Sequence, residues 1–131
     1  MIVLDTHAWI WWISNPALLS EEARRIIDGA AAGRGIFISS ISAWEVAVLV
    51  ARGRLRLTMS VGDWVAASEA LPSIHFVPVS NSIALKSVQL PGDLPNDPAD
   101  RIIIATAVSM GAVLVTKDEK IRTYPHVKTV W

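Results

Sequence analysis

Met1-Ile2-Val3-Leu4-Asp5-Thr6-His7-Ala8-Trp9-Ile10-Trp11-Trp12-Ile13 changes its periodicity at Asp5, and that change sets the fold class. The first four residues form a continuous apolar run, too short for a helix and suited to a strand buried on both faces. From Thr6 onward Trp9, Trp12 and Ile13 share one helical face, while Trp11 points elsewhere. A strand that passes directly into a helix, with an acid at the joint, is the opening of a β–α unit.

The same alternation continues along the chain. Asn15-Pro16 ends the first helix, and Ser20 caps a second through Ile27, with Glu21 and Glu22 in its first turn. The Gly29–Gly35 stretch is expected to be a flexible exit. Gly35-Ile36-Phe37-Ile38 reads as the second strand. Ser42-Ala43-Trp44-Glu45 matches a capping box opening a helix to about Arg52, with Gly53 as its stop. Ser60 to Leu71 gives another helix, closed by Pro72. Phe76-Val77-Pro78-Val79 is a third strand, which Pro78 restricts to an edge or irregular position. Ser80 to Leu90 is a helix and Pro91–Pro95 a loop. Asp97-Pro98-Ala99-Asp100 starts a nearly all-apolar helix to Met110, ended by Gly111; such a helix must be buried. Ala112 to Val115 is a fourth strand and Val127 to Val130 a short last one. Strands alternating with helices indicate an α/β fold, a mainly parallel sheet of four to five strands with helices on both faces.

The totals narrow the class. A chain of 131 residues suits one domain, here the whole of 1–131, and 52% hydrophobic content is too apolar for disorder. No apolar run reaches the roughly 18 residues of a membrane span, and the first strand begins without a basic leader. Zero cysteines exclude disulfides, thiolate metal sites and cysteine nucleophiles, which suits a cytoplasmic protein. Twelve basic and twelve acidic residues balance, so bulk charge does not draw this chain to nucleic acid.

The acids carry the chemistry. Asp5 and Asp118 follow apolar runs, while Glu45 and Asp100 fall in the first turns of the helices assigned to them. In open α/β sheets that edge is where ligands bind. Taken singly, most have a structural explanation: Glu45 completes a capping box, Asp97 is an N-cap, and Asp118 starts a turn in a solvated stretch. Asp5 and Asp100 are harder to explain by stability. Together they form an acidic cluster that a cation must neutralise. Carboxylate oxygens without Cys or clustered His select Mg²⁺ or Mn²⁺ over Zn²⁺. Such a site suits phosphodiester hydrolysis, and without metal its acids should have raised pKa values. Thr6 and Thr116, beside the strand-end aspartates, can orient carboxylates.

Other residues carry less. His7 is close enough to touch substrate but also reads as an ordinary first-turn residue, and His75 and His126 are isolated. No Gly-x-Ser-x-Gly elbow or Gly-x-x-x-x-Gly-Lys loop is present. Arg52, Arg54 and Arg56 alternate with apolar residues and could contact a phosphate backbone or form a solvated edge. Of the six tryptophans, Trp9, Trp12 and Trp44 fit core faces, and Trp11 and Trp131 are candidates for exposure.

Leu4-Asp5-Thr6-His7, Ser42-Ala43-Trp44-Glu45, Asp97-Pro98-Ala99-Asp100-Arg101 with Ala105-Thr106-Ala107, and Leu114-Val115-Thr116-Lys117-Asp118 together resemble the PIN-domain nucleases, specifically VapC-type toxins of toxin–antitoxin modules. The four motifs occur in the family's order across nearly the whole chain. The resemblance implies a PIN-like three-layer fold and an acidic Mg²⁺ or Mn²⁺ site made by Asp5, Glu45, Asp100 and Asp118, with Asp97 as an accessory acid. It also implies an endoribonuclease cutting RNA such as tRNA or rRNA, a cognate antitoxin, and a homodimer. The rivals are the same fold used in housekeeping RNA processing or DNA cleavage, and a non-catalytic binding module whose acids serve only as caps.

Overall fold

The computed structural model describes residues 1–131. Five parallel strands form one sheet: β1 (Ile2–Leu4), β2 (Ile36–Ser39), β3 (Ile74–Val77), β4 (Val113–Val115) and β5 (Thr129–Val130), in the order β3-β2-β1-β4-β5. The helices are α1 (Thr6–Ser14), α2 (Glu21–Ala32), α3 (Ser40–Ala51), α4 (Val61–Glu69), α5 (Asn81–Gln89), α6 (Pro98–Met110) and α7 (Glu119–Arg122). A single 3₁₀ turn, Pro16–Leu18, follows α1. No helix is long and apolar enough to cross a membrane.

Strand alternation sorts side chains into two cores. Ile2, Leu4, Ile36, Ile38 and Val115 face one layer with Trp9 and Ile27, whereas Val3 and Leu114 face the other with Ile103, Ile104 and Ala107. Both faces of β1 are therefore buried, which is why its run is uniformly apolar. Trp9 is fully buried; its Nε1 donates to Ser68 Oγ at 3.1 Å, and its ring meets Trp64 at 4.6 Å and Phe76 at 5.4 Å.

Most expected elements are present, and the differences have local causes. α2 continues through Gly29 to Ala32 rather than loosening there, because the four positions after Asp28 are one tolerated glycine and three alanines on a partly exposed helix. α3 begins three residues earlier than the capping box suggested. Ser39 is its N-cap, accepting from the Ile41 N–H at 3.2 Å, and Ser42 is instead buried inside the helix. Trp44, expected in a core, is 59% exposed. α3 is apolar on almost every side, so periodicity cannot tell which face the sheet will cover; Ser42 and Val46 take that face. Ile13 is likewise exposed at the end of α1, and Asp118 starts a one-turn helix rather than a plain turn. β3 ends before Pro78 and lies at the sheet edge. α6 agrees with its motif in detail: Asp97 caps it, Pro98 takes its first position, and Gly111 ends it at φ +62°.

Because Trp9 joins α1, α4 and β3, Trp9→Ala should destabilise the fold by about 3–5 kcal/mol. Urea denaturation would measure this, and a loss below about 1 kcal/mol would show that the cluster is not a principal core.

Candidate active site

β1 is the strand at which the sheet reverses its order of growth, and a crevice opens beyond the carboxyl ends of β1 and β4. Four elements deliver acids to that crevice. Asp5 leaves β1, Asp118 follows β4, Asp97 and Asp100 lie at the start of α6, and Glu45 projects from the second turn of α3. With Thr6, His7, Trp11, Ile103 and Lys117, these five carboxylates line one cavity of about 490 Å³.

Three of the acids are also helix caps. Asp5 Oδ1 accepts from the Ala8 N–H at 2.8 Å, Asp97 Oδ1 from Ala99 at 2.8 Å and Asp100 at 3.2 Å, and Asp118 Oδ1 from Lys120 at 2.8 Å. The amino ends of α1, α6 and α7 therefore point their partial positive charge at the acids that cap them. Asp5 thus has a structural role as well as a place in the cavity, which its position after a strand did not reveal.

Two buried threonines brace the carboxylates. Thr116 Oγ1 donates to Asp5 Oδ2 at 2.5 Å and accepts from the Asp118 N–H at 3.0 Å, so one hydroxyl ties the ends of β1 and β4 together. Thr6 Oγ1 donates to Glu45 Oε1 at 2.5 Å and lies 2.9 Å from the Ser42 hydroxyl, linking α1 to α3. Ser42 therefore helps to fix Glu45 from within the helix rather than by capping it.

The electrostatics follow from burial and crowding. Burial raises the Asp5 carboxyl above its usual range, against the opposing effects of Thr116 and the Ala8 N–H. Glu45 is raised by burial, with Asp97 adding repulsion and the Thr6 hydrogen bond opposing. Asp100 is pushed up to about 7, by burial first and then by the charges of Asp97, Asp118, Glu45 and Asp5.

The donors are all carboxylate oxygens, a set that fits a hard divalent cation. As they stand, no three of them converge closely enough to clasp one ion. Arg52, Arg54 and Arg56 lie outside the cavity; they are exposed beyond the far end of α3, with Arg56 beside a separate apolar groove. His7, Trp11, Lys117 and Ile103 were not assigned to the site by sequence. The helical spacing of His7 from Trp11 and of Asp100 from Ile103 was a usable signal; nothing local linked Lys117 to Trp11.

Comparisons with known proteins match this architecture. The PIN domain family model matches residues 2–127. Ribonuclease VapC22 of Mycobacterium tuberculosis is 36% identical over 132 residues, covering 99% of this chain and 98% of that protein. Among solved structures, FitAcB from Neisseria gonorrhoeae has a TM-score of 0.71 at 20% identity, covering 100% of this chain and 97% of that one. DNA-bound VapBC from Salmonella typhimurium has a TM-score of 0.69 at 23% identity, covering 99% and 98%. A toxin–antitoxin complex from Klebsiella pneumoniae has a TM-score of 0.65 at 22% identity, covering 100% and 97%.

The raised Asp100 carboxyl has a consequence for stability. Between its ordinary 3.8 and its folded value of about 7, the folded chain holds a proton that the unfolded chain has lost. The stabilisation is full below the lower value and is lost as pH rises through the higher one. In chelator, the melting temperature of Asp100→Asn relative to the parent should therefore climb as pH rises from about 4 to about 8. A constant difference between the two across that range would contradict the raised Asp100 carboxyl, which burial and then the neighbouring acids produce.

Proposed function

Because this chain belongs to the PIN domain family, we propose that it is a metal-dependent endoribonuclease acting as the toxin of a toxin–antitoxin module. The observation that carries the reading is the gathering of five carboxylates from four separate elements into one cavity at the sheet's switch point. Ribonuclease VapC22, alike over almost its full length, supports RNA as the substrate.

Asp5, Glu45, Asp100 and Asp118 would hold Mg²⁺ or Mn²⁺, which when bound would supply positive charge for the phosphate and promote attack by water. Asp97 is the accessory acid: it caps α6 and adds repulsion at Glu45 and Asp100. Thr116 fixes Asp5, and Thr6 fixes Glu45, so two of the four carboxylates are held in one rotamer before any ligand enters. Asp100, with its carboxyl near 7, is still partly protonated at neutral pH and must release that proton for the site to be fully anionic. Until its charge is offset, the acidic floor repels a phosphate backbone. Arg52, Arg54 and Arg56 lie outside the cavity, so a contact of theirs with the RNA backbone falls away from the cleaved bond.

The partner in this reading is a cognate antitoxin. It is supported by solved structures of the same fold that are toxin–antitoxin and VapBC complexes.

Asp5→Asn and Asp100→Asn should each lower RNA cleavage by on the order of a hundredfold or more while leaving the circular dichroism spectrum unchanged. Cleavage at the parental rate in both variants would sink the site assignment. In the parent, Mg²⁺ or Mn²⁺ at about 100 times its dissociation constant should add roughly 2.7 kcal/mol of stability. A melting curve indifferent to millimolar metal would count against cation binding.

A further inference from the structure

Trp11 is the indole that reaches the acidic cavity, and it stands there with basic company. It is half-buried, one turn beyond His7 on α1, and both rings line the cavity. Their centroids are 5.5 Å apart at 52°. Trp131, from the far end of the chain, forms a T-shaped pair with Trp11, the centroids 5.7 Å apart and the planes at 62°. Lys117, in the loop after β4, places Nζ 5.8 Å from the Trp11 ring centroid.

Lys117 is the one lysine or arginine that lines the cavity, yet it pairs with none of the five acids around it. Arg25–Glu22 is the only ion pair within 4.0 Å in the chain. Its ammonium lies instead within cation–π reach of the indole. The cavity therefore has an acidic floor and a wall that is aromatic and basic.

These two surfaces suit different parts of a nucleotide. A phosphate is repelled by the floor, whereas a nucleobase is neutral and stacks on aromatic rings with little regard to its identity. Trp131 packs against the indole and the helix fixes its backbone, so little freedom is lost when a base arrives. A base can stack there only when it is unpaired and splayed from its strand.

Resting on the ribonuclease reading above, we propose that His7 and Trp11 form a stacking wall for an unpaired base beside the cleaved phosphodiester. Lys117 binds the adjoining backbone phosphate. The wall supplies the attraction that the acidic floor lacks, and it places the substrate by its base rather than by its charge.

The test uses the intact chain with Mg²⁺ and a fluorophore–quencher pool of mixed-sequence single-stranded RNA, about ten nucleotides long. W11L and H7A should each raise KM about tenfold, with kcat changed far less, and W11F should recover most of the loss because it keeps a ring. K117M should flatten the dependence of log KM on log salt by about 0.7, the value of one phosphate contact on a single strand. Parental KM in a folded W11L overturns the proposal, as does W11F impaired as severely as W11L, which would mark packing rather than stacking. H7A, at an exposed position, carries the same test should W11L fail to fold. If W11L cleaves as the parent does but loses affinity for a protein that inhibits the parent, the rings belong to a protein interface and the proposal falls. A parent that cleaves no RNA overturns the ribonuclease reading itself.

Discussion

Five carboxylates cannot share one half-buried cavity as five anions without some opposing charge, and much of this structure follows from how that repulsion is offset. Part of the relief is internal. Asp5, Asp97 and Asp118 cap helices whose amino ends supply partial positive charge, and Asp100 retains a proton to about 7. Part is left undone, since none of the five acids pairs with a lysine or arginine. The sheet makes the arrangement affordable: parallel strands end together, and the helices that follow or precede them start at the same edge.

Rigidity at the cavity comes from hydroxyl groups rather than ion pairs. Thr116 joins Asp5 to the backbone of Asp118, and Thr6 joins α1 to Glu45 and Ser42. Each hydroxyl is buried, so an unsatisfied oxygen there would cost about 1–3 kcal/mol. The stability of these contacts and the orientation of the acids are therefore one requirement. This explains why a residue such as Asp5 can serve as helix cap and as candidate ligand without conflict: the cap uses one carboxylate oxygen and Thr116 the other.

Much of the fold and of the acid set was legible in the sequence. The change of period at Asp5, the capped start and glycine stop of α6, and the four motifs in order carried the strand–helix alternation and named Asp5, Glu45, Asp97, Asp100 and Asp118 as neighbours. These readings succeed because strand and helix periods, proline placement and glycine stops are governed by residues a few positions apart. Even there the signal had a limit: Ser42 and Glu45 fit a capping box by spacing, while Ser39 took the cap and Ser42 was buried against Thr6.

The sequence by itself determined most of the elements, their order, and the acidic character of the site, because those depend on local period and on residue type. Tertiary structure alone decided which side of α3 is covered, so that Trp44 faces outward, and which distant residues meet at the cavity. Lys117 and Trp131 come to Trp11 only because β4 and β5 continue the sheet beside β1. No stretch of sequence records that contact. It arises from strand order, which is set by the packing of the whole chain.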